Sequence, residues 1–203
     1  MHAGRIDEYI AEKRWERKLK RSLKQEVFAR PISWGNFVEK IAFEKLPLSY
    51  RLLSKTTVIH TEFDCWAGST DLLTPDAVGN IKCPELKSFC QMVDTGGDPE
   101  ALRAYKYGEY FWQLISDACI NNRKYAELIP YVPYFNDLTA IQDRASIAED
   151  QFQWIFYADV ATLPYLHKDC AYKDLNIIRF DADPYKDQLI ERVKQAEKLL
   201  NEK

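Results

Sequence analysis

The sequence predicts an α/β (α+β) domain with a mixed central β-sheet flanked by helices. Three observations lead there. The chain has 203 residues, 46% hydrophobic and 29% charged, which suits one soluble globular domain with a real core. Strand-like segments gather in two places, 55–83 and 125–134, each bounded by turn residues. Helical periodicity precedes, separates and follows them, so the order is helix, helix, three strands, helix, strand, then a C-terminal elaboration.

Residues 6–24 read as the first helix, with Ile6, Tyr9, Ile10, Trp15, Leu19 and Leu23 at apolar positions. From Lys13 to Arg30 there are eight Lys or Arg against two Glu. That run is either a solvated helix face or a surface for phosphate backbone, through Arg14, Arg17, Lys18, Arg21, Lys24 and Arg30. Ser33 is a candidate cap for a second helix over 34–46, whose buried side is Phe37, Val38, Ile41 and Ala42.

Lys55 to Phe63 and Trp66 to Leu73 read as strands. A turn at Thr74–Gly79 then leads to a returning strand over Asn80–Cys83, ended by Pro84. A mixed segment broken at Gly96-Gly97 precedes the strongest central helix, 105–122. Tyr125 to Tyr134 is a strand whose prolines suggest a sheet edge. Residues 136–172 suggest one or two helices, and 176–180 a short strand. The last helix starts at Asp183, with Pro184 at its first position, and runs to about Leu200.

Composition narrows the function. A net charge of −3 gives no global attraction to polyanions, so nucleic-acid binding requires a local patch. The N-terminus shows no signal-peptide pattern and no apolar run approaches a membrane span. The five cysteines are odd in number and lack zinc-ligand spacing, which reads as reduced thiols in a cytoplasmic protein. They also lack the clustered C-terminal spacing of an iron–sulfur nuclease.

The chemistry concentrates on the hairpin around Gly79-Asn80-Ile81-Lys82-Cys83-Pro84. Alternation along a strand puts Asn80 and Lys82 on one face, with Ile81 and Cys83 in the core. Asp71, nine residues before Asn80, is carried alongside that face by the hairpin. Acid, amide and ammonium then meet at one end of a sheet. Hard divalent cations take oxygen ligands, commonly one or two carboxylates plus waters. A bound cation polarises a phosphate and acidifies a water, and a lysine can hold that water or offset phosphate charge. Asp71, Asn80 and Lys82 suit those tasks, and the backbone carbonyl of Ile81 offers one more oxygen.

Glu39 lies on the second helix in line with Gly35, Ala42 and Phe43, a half-buried place for an acid. It is either a salt-bridge partner or a ligand. Tyr110, Gln113 and Asp117 share one face of the 105–122 helix, opposite Phe111, Leu114, Ile115 and Ala118. That stripe is an ordinary polar face or a neighbour of the metal site. His60 and His167 have no partner at ligand spacing, and Pro75-Asp76 and Glu85-Leu86-Lys87 read as decoys.

Four segments in order resemble the phage-type exonucleases of the lambda exonuclease/YqaJ group, within the PD-(D/E)xK nuclease superfamily. WGNFVEK (34–40) looks like the family's Trp-Gly followed by a glutamate, Glu39. GSTDLL (68–73) resembles the strand with the first motif aspartate, Asp71. NIKCP (80–84) resembles ExKCP, mapping Lys82 and, at the acid position, Asn80. YFWQ (110–113) resembles the following helix with Tyr110 and Gln113. The resemblance implies a restriction-endonuclease-like core and a single nuclease domain over 1–203. Within it lie a basic helical part (1–33), a catalytic core (34–135) and a C-terminal elaboration (136–203). It implies 5′ to 3′ hydrolysis of double-stranded DNA with Mg2+ or Mn2+. It further implies work beside a phage single-strand annealing protein, in some relatives as a ring-shaped trimer, with no membrane involved.

Two departures from the family pattern matter. The family carries a segment ahead of the first helix that helps hold the DNA 5′ end, whereas this chain begins close to that helix. Asn80 stands where a carboxylate belongs, which lowers the expected metal affinity and water activation. An engineered acid-to-amide change, a natural weakened variant and a pseudonuclease that binds without cutting all fit this. Of the three, the intact surroundings favour the engineered change. The competing functional readings are a nuclease weakened by Asn80, an inactive DNA- or protein-binding module, and an unrelated α/β domain with accidental matches.

Overall fold

The computed structural model describes residues 3–21, 23, 29–52, 56–104 and 108–201. Its centre is a five-stranded sheet in the order β1-β4-β5-β6-β7. These strands are β1 (Arg51–Leu52), β4 (Leu72–Leu73), β5 (Ala77–Lys82), β6 (Tyr125–Pro130) and β7 (Ile178–Asp181). A separate ribbon pairs β2 (Val58–Ile59) with β3 (Ala67–Gly68). Strands β5 and β6 run parallel and the other pairs antiparallel, so the sheet is mixed as the sequence predicts. A parallel step needs a crossover. It is made by α3 (Leu86–Val93), α4 (Pro99–Ala104) and α5 (Gly108–Ile120). Gly96 and Gly97, both at positive φ, provide the bend between α3 and α4.

The remaining helices are α1 (Ala3–Leu19), α2 (Arg30–Glu44), α6 (Leu138–Ser146), α7 (Gln153–Tyr157) and α8 (Asp183–Asn201). They bury the sheet from both sides. On one face Trp34, Phe37, Val38 and Ala42 of α2 pack with Ile81, Ile129, Leu138, Ile141 and Ile155. On the other, Phe111, Leu114, Ile115 and Ala118 of α5 pack with Val78, Leu128, Ile178 and Phe180. Residues of β5 therefore divide by parity, with Ile81 toward α2 and Val78 toward α5. Among the described residues no helix is long and apolar enough to cross a membrane, and the five cysteines are free.

Several expected boundaries move, each for a local reason. The second helix starts at Arg30 rather than 34, with Ala29 at its N-cap and Pro31 in its first turn. Ser33 is thus inside the helix. Its hydroxyl donates to the Gln151 carbonyl and accepts from Trp154 Nε1. The first helix ends at Leu19, and Lys20 follows at φ 54. Of the 55–63 strand only Val58–Ile59 pairs, and Lys55 lies outside the described residues.

The 66–73 strand is two strands in different sheets, interrupted at 69–71. The hairpin closes at Thr74–Ala77, where Thr74 Oγ1 accepts from the Ala77 amide, so Gly79 lies within β5 opposite Leu72. Strand β6 is interior, not an edge. Pro130 falls at its last position and Pro133 beyond it, so neither removes a needed ladder bond. Its apolar residues on both faces are those of a covered strand.

Candidate active site

The break between β3 and β4 shapes the site. Because residues 69–71 leave the ladder, the Asp71 side chain can reach across to β5. Its Oδ2 accepts from the Ile81 amide at 3.1 Å, and the Asp71 amide donates to Asn80 Oδ1 at 3.5 Å. Tyr131 N donates to the Lys82 carbonyl at 2.9 Å, which turns that peptide toward β6. Alternation then turns the Ile81 carbonyl to the opposite edge, the side of Asp71. Asp71, Asn80, Lys82 and the Ile81 carbonyl are thus together at the C-terminal end of β5, as the hairpin reading predicts.

Lys82 and Asn80 both face α5. The Lys82 ammonium lies over the Tyr110 ring, 5.2 Å from its centroid. Asn80 is 1% exposed and its Nδ2 donates to Asp117 Oδ2 at 2.8 Å. Asp117 is itself 2% exposed. Next to it Asn121 Nδ2 donates to the Asp117 backbone carbonyl at 2.9 Å and to Thr70 Oγ1 at 3.0 Å. Burial pushes the Asp117 carboxyl up to about 6, assisted by the charge of Asp71 and opposed by the Asn80 hydrogen bond and Lys82. The Cys83 thiol is pushed up by burial first and then by Glu39 and Asp71, with Lys82 opposing.

Glu39, Ile81, Lys82, Cys83 and Tyr110 line one cavity of about 710 Å3. Its far wall, which the sequence did not reveal, is Trp154 with Thr162, Leu163 and Pro164. Arg30 sits at this cavity too, its guanidinium 5.3 Å from the Trp154 ring centroid. Glu85 also lines the cavity, although the sequence marks it as a decoy. Asp76 is elsewhere, in an ion pair with Arg179 at the hairpin turn. Gln113 is exposed on α5, whereas the Asn80–Asp117 pair is buried.

The basic segment divides. Arg14 donates to the Leu199 carbonyl and Arg17 to Asn201 Oδ1 at 3.4 Å, so both turn to the C-terminal end of α8. Lys18 and Arg21 are exposed, and Lys24 lies outside the described residues. His60 stacks on Trp66 with centroids 4.5 Å apart, and His167 packs against Phe135 and Tyr165.

The donor set suits a hard cation. Asp71, Glu39, the Asn80 amide and the Ile81 carbonyl all offer oxygen donors, and magnesium needs only one or two carboxylates. Glu39, Asp71 and Asp117 do not form a close acid triplet. Among the described residues only Asp64, Cys65 and Glu197 bring three ligand atoms within 4.8 Å of one another, at the outer end of α8.

Two consequences of the buried acid are measurable. A Cβ at Gly68 would fall 2.9 Å from Asp117 Oδ1 and 3.0 Å from Ile120 Cδ1. Gly68→Ala is therefore expected to cost ~1–3 kcal/mol by overpacking, read as a lower urea midpoint at unchanged slope. The second concerns pH. The Asp117 carboxyl rises from an ordinary 3.8 to about 6 on folding. The folded protein thus holds this proton where the unfolded chain has lost it, and stability falls as pH rises through that window. At 1.36 kcal/mol per unit the loss is ~3 kcal/mol, fully present above the folded value. Asp117→Asn lacks it, so the variant should gain on the wild type between pH 4 and pH 7 in urea unfolding. Parallel profiles would show that the acid titrates normally.

The architecture recurs in solved exonucleases. The alkaline exonuclease LHK-Exo from Laribacter hongkongensis matches with a TM-score of 0.61 at 16% identity, over 98% of this chain and 79% of that one. Its structure in complex with dAMP gives 0.60 at 16% identity, over 96% and 76%. A phage-related exonuclease from Haemophilus somnus 129PT gives 0.58 at 18% identity, over 95% and 79%. No protein-family profile matches the chain, and no curated protein matches it. The chain has the mixed-sheet fold of these exonucleases.

Proposed function

We propose that this protein is a metal-dependent DNA nuclease, acting as an exonuclease on duplex ends with Mg2+ or Mn2+, and weakened by the amide at position 80. The observation that carries the reading is the meeting of Asp71, Asn80, Lys82 and the Ile81 carbonyl at one strand end, where Ile81 and Lys82 line the same cavity as Glu39. The exonuclease fold supports it. The cavity is of a size for a terminal nucleotide, and LHK-Exo is known in complex with dAMP.

Asp71, the Asn80 oxygen, the Ile81 carbonyl and Glu39 would hold the cation. When bound, it would polarise the scissile phosphate and acidify a water. Lys82 orients the attacking water or offsets charge on the phosphate, and the Tyr110 ring holds the ammonium in place. Trp154 and Arg30 offer a flat face and a cation for the strand end. Lys18 and Arg21 contact the duplex backbone.

The amide is matched to its surroundings, with Nδ2 on Asp117 and Oδ1 receiving the Asp71 amide. That complementarity favours Asn80 as the protein's own residue over a substitution made in a finished site. It also favours the second reading, a DNA-binding module without cleavage, more than the sequence alone does.

The deciding experiment is digestion of linear duplex DNA with Mg2+ or Mn2+ and a chelator control, for wild type, Asn80→Asp and Asn80→Glu. Metal-dependent release of nucleotides from ends by any of the three supports the nuclease. DNA binding that survives chelation, with no cleavage by any of these versions or by the double variant Asn80→Asp/Asp117→Asn, would establish the binding module instead.

A further inference from the structure

We propose that Asp117 is the positioning residue of the metal site, restoring through Asn80 the negative charge that position 80 lacks. This rests on the reading of Asn80 as a metal ligand. Asn80 has one oxygen to offer, and an unrestrained amide could present its NH2 to the cation instead. Asp117 prevents that. An aspartate oxygen 2.8 Å from Nδ2 accepts only from the NH2 end, so the amide cannot flip without setting oxygen against oxygen. The carbonyl oxygen is thereby fixed on the opposite side, where the Asp71 amide lies 3.5 Å away.

The hydrogen bond also has an electronic effect. An acceptor carboxylate on the NH2 polarises the amide and raises electron density on its oxygen, as in other coupled hydrogen-bond chains. The acid has not left the site. It stands one hydrogen bond further back, on α5 instead of β5, in a place built for it. Asp117 is buried, and a side chain at Gly68 would collide with its second oxygen. This arrangement resembles the outer partners that orient ligands in metal sites generally, whose loss typically costs 10- to 100-fold in affinity.

It also predicts that Asn80→Asp alone is a poor repair. Two buried carboxylates would then face each other where the amide and acid now sit 2.8 Å apart. The matched repair is the exchange Asn80→Asp/Asp117→Asn, which moves the charge onto β5 and the amide onto α5 while keeping the hydrogen bond.

The test is Mn2+ titration by calorimetry on the full chain, without DNA, for wild type, Asp117→Asn, Asn80→Asp and the exchange. Thermal unfolding checks each variant for folding. The expected result is a 10- to 100-fold weaker Kd for Asp117→Asn, with the exchange returning to wild-type affinity or better. Asp117→Asn binding Mn2+ as the wild type does would overturn the proposal. So would an exchange variant, folded, that binds no better than Asp117→Asn alone. Absence of Mn2+ binding by the wild type, the exchange and Asn80→Asp alike would overturn the metal reading itself.

Discussion

Lys82→Ala is expected to lower duplex cleavage by about 10^2–10^3-fold while leaving the protein folded and DNA-bound. The size follows from the task. A preorganised donor aimed at charge that develops in the transition state is worth ~3–4 kcal/mol when removed, and each 1.36 kcal/mol is about tenfold in rate. Lys82 is half-buried at the end of β5, with its ammonium over the Tyr110 ring, so its position is set before substrate arrives. Its stem does not fill the apolar clusters, which take Ile81 from one side of the strand and Val78 from the other. Stability should therefore change little. The measurement is a single-turnover rate with enzyme in excess and Mn2+ present, beside a DNA-binding isotherm at fixed salt. Lys82→Arg should not restore the rate, because a planar fork does not replace a compact ammonium. Equal rates for wild type and Lys82→Ala would remove the lysine from the mechanism.

Much of this site was legible in the sequence because local rules decided it. Strand parity put Asn80 and Lys82 on one face, and a nine-residue hairpin returned Asp71 to them. Both hold in the structure. What the sequence could not give were relations between distant elements. Asp117 was visible as part of a polar stripe on α5, but nothing local announced that its carboxylate would be buried against Asn80. The one available signal was Gly68, a glycine in a strand-like run, which marks a close approach by something.

The Trp154 wall was illegible for a related reason. Short helices and turns between 135 and 163 carry too few periods to be read, and only tertiary contact with α2 gives them a place. Proline misled at β6, where Pro130 and Pro133 suggested an edge. The rule concerns the need for an amide in the ladder, and both residues sit where the pairing ends. The break at 69–71 leaves no local mark, because Trp66 to Leu73 is apolar at both ends. The interruption depends on two sheets competing for one stretch of chain.

Phe111→Ala is expected to cost about 3–5 kcal/mol, the largest loss of stability from a single change near the site, by leaving a cavity behind α5. Phe111 is fully buried, and its ring meets Phe180 at 5.6 Å in a stacked arrangement and Tyr185 at 4.9 Å edge-on. One side chain thus fastens α5 to β7 and to α8. For a chain of this size the loss corresponds to a fall of roughly 10 °C in Tm, measured by circular dichroism. Phe111→Leu, which keeps most of the volume, should fall by much less. The substitution also bears on the site, although Phe111 faces away from it. Tyr110 and Asp117 ride on the same helix, and the hydrogen bond from Asn80 to Asp117 tolerates only a few tenths of an ångström before it weakens. Mn2+ affinity should therefore drop in Phe111→Ala at temperatures where the protein remains folded, and hold in Phe111→Leu. If Tm falls and metal affinity does not, the seat of α5 is a matter of stability alone and Asn80 is oriented by β5 without it.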